Sequence, residues 1–123
     1  TSCVQNLCLR KFIWMNDWDI VALVKRCNQI RFLDLKNTAI TNNCLPEVIR
    51  NLKDTLKELN VQTYGLKLWF DIGNSDKVLE LKSLTRLNTL HVTVNDFMER
   101  KRKKELIGIT INNQEYQNDN MYF

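Results

Sequence analysis

The stretch Ile30 to Thr41, IRFLDLKNTAIT, carries Ile or Leu at 30, 33, 35 and 40. A half-buried strand would alternate every second residue, and a helix would repeat at three and four. Spacings of three, two and five fit neither, but they recur along the chain. Val4, Leu7 and Leu9 stand 26 residues before Ile30, Leu33 and Leu35, and Leu56, Leu59 and Val61 stand 26 residues after them. Leu87, Leu90 and Val92 follow after 31 more residues, and Leu106, Ile109 and Ile111 after another 19. An L-x-x-L-x-L signature returning five times at 20 to 30 residues predicts a leucine-rich repeat. In each unit the x-L-x-L part reads as a short strand with alternate side chains in the core. The first apolar residue turns inward at the way into the strand. Parallel pairing of successive strands then requires a return long enough to cross the sheet.

The returns carry a helical pattern. NDWDIVALVKRC places Ile20, Leu23, Val24 and Cys27 on one face, with Asn16 or Asp17 as the cap. TNNCLPEVIRNLKD repeats the stripe at Leu45, Val48, Ile49 and Leu52, with Asn42 or Asn43 as the cap and Pro46 in the first turn. NSDKVLELKSL spaces Val78, Leu81 and Leu84 by threes, which predicts a short or tight helix. NDFMERKRKKEL offers only Phe97 and Met98 before its charges begin, as suits an atypical terminal unit. The expected fold is α/β: a short right-handed horseshoe of about five units, parallel strands concave and helices convex. Residues 1–111 form the repeat domain, and 112–123 read as a polar tail without period.

The wording of these units resembles a known family. CNQIRFLDLKNTAITNNCL looks like the cysteine-containing repeat of ubiquitin-ligase substrate receptors. Cys27 stands three before Ile30, and Ile40, Thr41 and Leu45 match the family's I-T-D-x-x-L run into the helix. NTAIT followed by DTLKEL is similar to zyg-eleven and zer-one type receptors of cullin-2 ligases, with F-box leucine-rich proteins of cullin-1 ligases close behind. The resemblance spans residues 4 to 94 and implies a ribonuclease-inhibitor-like repeat domain that recognises substrate for a cullin-RING ligase. The Asn or Cys expected three after the last strand Leu is Phe12, Thr38 or Tyr64 in the first three units, and only Asn95 fits. The chain contains no F-box or cullin box, so a cullin adaptor would be met through other segments.

Composition narrows the alternatives. In 123 residues the hydrophobic content is 44% and the charged content 26%, an ordinary globular balance. Neither a span of ~20 apolar residues nor an amino-terminal secretory pattern occurs. The four cysteines at 3, 8, 27 and 44 form no C-x-x-C pair, and His91 is the one histidine. They read as reduced thiols, small buried hydrophobes of a cytoplasmic or nuclear protein. No metal, cofactor or small-molecule substrate is implied, and without a phosphate-binding loop or an assignable nucleophile and base the chain reads as a non-enzyme.

Alternation places the partner surface on the outward strand residues: Arg10; Phe32, Asp34 and Lys36; Glu58, Asn60 and Gln62; and His91. The mixture favours a protein or peptide over nucleic acid. Tyr64 and Trp69, in the extra residues of the third unit, are candidate loop contacts if they do not simply plug the core. FIWMNDW at 12 to 18 is expected to pack under the rim. The net charge of +4 is concentrated in Arg100, Lys101, Arg102, Lys103 and Lys104, a solvated helix face or an anionic-surface contact. The rival functions are a repeat scaffold with no ligase role and an anionic-surface or nucleic-acid binder acting through 100–104.

Overall fold

The computed structural model describes residues 3–62, 76–92 and 108–113; for Asn42, 76–79 and 111–113 it describes the backbone alone. Five short strands, β1 (Asn6–Cys8), β2 (Phe32–Asp34), β3 (Glu58–Asn60), β4 (Thr89–Val92) and β5 (Thr110–Asn113), lie side by side in chain order. Every neighbouring pair is parallel. Helix α1 (Asp17–Arg26) connects β1 to β2, and α2 (Leu45–Leu52) connects β2 to β3. The described part of the third return is a 3-10 helix, Asp76–Ser83, as the spacing by threes predicts.

Leu7, Leu33, Leu59 and Leu90 occupy one row across four strands, each paired with the next. Leu33, Leu59 and Leu90 are buried with Ile30, Leu35, Leu56, Val61, Leu87 and Val92. Ile20 and Val24 of α1 and Leu45, Val48, Ile49 and Leu52 of α2 complete the same core. Burying side chains of this size contributes about 1.5–3 kcal/mol each. The L-x-x-L-x-L signature is therefore the inner face of the sheet plus the turn leading into it.

The two complete returns start differently. Asn16 caps α1 with a full capping box: its side chain accepts from the Asp19 N–H at 3.1 Å, and the Asp19 carboxylate accepts from the Asn16 N–H at 3.0 Å. The cap position of α2 falls at Cys44 rather than at Asn42 or Asn43. A 3-10 turn, Asn42–Cys44, runs straight into the helix, and Cys44 at the cap position is already helical at φ −80°, ψ −15°. Thr41 caps this 3-10 turn, its hydroxyl accepting from the Asn43 N–H at 3.1 Å. That hydroxyl donates to the Asp17 carboxylate of the preceding helix, and the Thr41 N–H donates to the same carboxylate at 2.7 Å. Asp17 thus ties the start of one return to the start of the next.

The fifth strand corrects the sequence register. The signature aligned Ile109 with Leu90, but Leu90 pairs with Ile111, two residues further on. The backbone turns at Gly108, φ 94°, so the extended run begins only at Thr110. A shift of two preserves which residues face the core, whereas a shift of one would invert the strand. β5 also runs to Asn113, two residues into the segment read as tail.

The thiols do not share one environment. Cys44 is buried, but Cys3 and Cys8 are exposed, contrary to the expectation of small buried hydrophobes. Each lies in or before β1, which among the described residues is an edge of the sheet. Burial, and then the negative charge of Asp17, push the Cys44 thiol well above its ordinary range. Protonated Cys44 donates to the Thr41 carbonyl at 3.3 Å. The raised value gives a contribution fully present below the unfolded thiol pKa of about 8.5 and lost as pH rises beyond it. Urea titrations above pH 9 should show stability falling by up to about 1.4 kcal/mol per pH unit more steeply in the wild type than in Cys44→Ala. In the native protein a maleimide should modify Cys3 and Cys8 rapidly and reach Cys44 only on unfolding.

Candidate functional site

The open face of the sheet

A parallel sheet is ordinarily covered on both faces. Here, among the described residues, no element covers the face opposite the helices. Register places Asn6, Phe32, Glu58 and Thr89 in one row across it, and Cys8, Asp34, Asn60 and His91 in the next. Phe32 is 42% exposed, a large apolar side chain standing among polar neighbours. All of these row residues but Thr89, with Arg10, line a hollow of about 330 Å³.

Cross-strand pairs fix the hollow's walls. The Arg10 guanidinium donates to one oxygen of Asp34 from Nε at 3.0 Å and from Nη2 at 2.6 Å. The other Asp34 oxygen accepts from the Lys36 N–H at 3.0 Å. Asn60 repeats that last bond one unit later, its Oδ1 accepting from the Gln62 N–H at 3.0 Å. A short polar side chain that binds the backbone two residues on competes with continued strand, which is why β2 and β3 stop at these residues. On the far wall, His91 Nε2 lies 2.7 Å from Glu58 Oε2. The surface is thus an aromatic platform between a cationic arm at Arg10 and an acid–imidazole pair at Glu58 and His91.

Most of the outward residues expected from alternation meet on this surface: Arg10, Phe32, Asp34, Glu58, Asn60 and His91 all line the hollow. Lys36 is half-buried just beyond the end of β2. Gln62 is a correction, since it is only 8% exposed and lies beyond the end of β3. Its carbonyl accepts from the Asn37 N–H at 2.9 Å, so alternation no longer governs it. Tyr64, Trp69 and the run Arg100–Lys104 lie outside the described residues.

The apolar stretch at 12 to 18 is a second correction. Of FIWMNDW only Met15 is buried. Ile13 is 75%, Trp14 66% and Trp18 83% exposed, and the Phe12 and Trp14 rings stack at 5.7 Å. Apolar identity right after a strand suggests packing beneath the rim. The chain instead turns at Lys11, φ 69°, and carries these side chains outward at the β1 end of the sheet.

Chemically, the open face offers recognition groups. Cys8 and His91 share a row but stand three strands apart, about 14 Å at the usual strand spacing, too far for a thiol–imidazole pair. Among the described residues, no three His, Cys, Asp or Glu side chains are grouped to hold a metal ion, and no helix is long and apolar enough to cross a membrane. Comparison of the chain with protein-family models, with curated proteins and with solved structures finds no match.

Proposed function

We propose that the protein is a leucine-rich-repeat interaction module whose open sheet face binds a protein or peptide partner. The observation that carries this reading is the hollow of about 330 Å³, lined by exposed Phe32, with the Arg10–Asp34 ion pair and the hydrogen-bonded Glu58 and His91 beside it. A solvent-facing parallel sheet is what a short solenoid presents, and solenoids use that face to bind. An aromatic platform ringed by paired polar groups has the composition of a small protein interface: an apolar anchor that loses water and a rim that sets orientation.

The finer reading rests on the resemblance of CNQIRFLDLKNTAIT to receptor repeats. In it, the module recognises substrate for a cullin-RING ubiquitin ligase. Co-precipitation of the full-length protein, scored for a cullin and its adaptor, tests that role. Partner binding by the surface is tested separately. Phe32→Ala should weaken the complex about tenfold or more, by titration calorimetry, while leaving the melting temperature within a few degrees. Equal affinity in wild type and variant would move the binding site elsewhere.

A further inference from the structure

The charges lining the hollow do not cancel, and the excess sits on one side chain. Arg10 offsets Asp34: both guanidinium bonds end on one Asp34 oxygen, and the other oxygen takes the Lys36 N–H. Glu58 is placed differently. Its Oε2 lies 2.7 Å from His91 Nε2, while its Oε1 has no hydrogen-bond partner among the described residues. The Glu58 side chain is 41% exposed, against 22% for Asp34. Counting histidine as neutral at pH 7, the lining residues carry a formal charge of −1, that of Glu58, on a chain whose total is +4.

Register sets Phe32 directly beside Glu58, with their Cα atoms paired on neighbouring strands about 4.8 Å apart. An exposed aromatic ring next to a carboxylate oxygen in need of a donor is satisfied by one kind of group. An apolar anchor would meet the ring alone, because Leu7 and Leu33, the aliphatic residues of the lining, belong to the inward row. It would also cover Glu58 Oε1 without giving it a partner, which is unfavourable. An acidic anchor would face a like charge. A basic side chain can lay its methylene stem on the ring and bring its head to Oε1, with attraction from both the carboxylate and the ring. Asn60 stands two residues along β3 from Glu58 and also lines the hollow. Its Oδ1 is used by the Gln62 N–H, and its Nδ2 has no partner among the described residues, so it offers a donor to a backbone carbonyl of the same ligand.

We infer that the open face selects a peptide bearing Arg or Lys, whose side chain lies over Phe32 with its charged head at Glu58. This rests on the reading that the open face binds a peptide, and it names the chemistry of the anchor. Long-range attraction cannot account for such a preference, since the chain as a whole is cationic.

The test selects binders of the full chain from a displayed library of random heptapeptides. The recovered peptides should be enriched at least fivefold in Arg and Lys over the input. Their affinity should fall at least tenfold with Glu58→Gln, with Phe32→Ala, and when the basic residue is replaced by norleucine, which keeps the stem and removes the charge. Both protein variants change exposed side chains and should melt within a few degrees of wild type. Peptides that need Phe32 but show no excess of Arg and Lys, or that bind Glu58→Gln as tightly as wild type, overturn the basic anchor and leave the open face as the binding surface. Recovery of no heptapeptide whose binding depends on Phe32 overturns the open-face reading, and the basic anchor with it.

Discussion

Leu33→Asp is expected to leave the domain unfolded at 25 °C, while Asp34→Ala, one residue away, leaves it folded. Leu33 lies at the centre of the inward row, 2% exposed, with Leu7 and Leu59 on either side. A carboxylate there has no cation within the core cluster and no water. Burying an unpaired charge removes about 4 kcal/mol or more, against a total stability of roughly 5–15 kcal/mol for a domain of this size. Asp34 points the other way. Its loss removes the ion pair with Arg10 and leaves the Lys36 N–H without its side-chain acceptor, at a cost of about 1 kcal/mol. Circular dichroism with urea titration separates the two outcomes. Equal loss of structure in both variants would mean that the assigned inner and outer faces are wrong.

Asp17→Ala is expected to cost about 2–3 kcal/mol, far more than removal of a surface carboxylate. Its two oxygens accept from the N–H and the hydroxyl of Thr41, across 24 residues of sequence. Hydrogen bonds to a charged group contribute about 1.5–3 kcal/mol. The loss also reaches α2, because the Thr41 hydroxyl that Asp17 orients is the group that accepts from the Asn43 N–H. Thr41→Val should cost a similar amount, and the double variant little more than either single one. A coupling free energy near 1 kcal/mol or above in that cycle supports a shared unit. Simple additivity would show that Asp17 and Thr41 act separately.

Much of the fold is legible because two periodicities coexist in each unit. Alternation in FLDL defines the strand, and the stripe Ile20, Leu23, Val24 and Cys27 defines the return. The capping box at Asn16 is legible too, since Asp19 stands three residues later. The start of α2 is not. The 3-10 turn that leads into it depends on Asp17 in the preceding helix orienting Thr41, and no local pattern encodes a bond across 24 residues. The fifth register escapes for a different reason. The signature counts apolar residues and has no measure of the left-handed turn at Gly108 that delays the strand. At the candidate site, alternation identifies the residues lining the hollow and fails at Gln62, where the strand has already ended. The exposure of Trp14 and Trp18 is likewise invisible. Hydropathy says that a side chain favours burial and says nothing about which way the turn at Lys11 carries the chain.

The strands are spaced by 26, 26, 31 and 21 residues, and the sheet nonetheless keeps one register of inward rows throughout. Variation in length is absorbed by the connections and never by the strands. Insertions and deletions in the returns therefore leave unchanged which side chains face outward from the sheet. Point changes at Phe32, Asp34 or Glu58 alter the open face without disturbing Leu33 or Leu59. Core and surface are encoded at interleaved positions of the same few residues, so one can change while the other is kept.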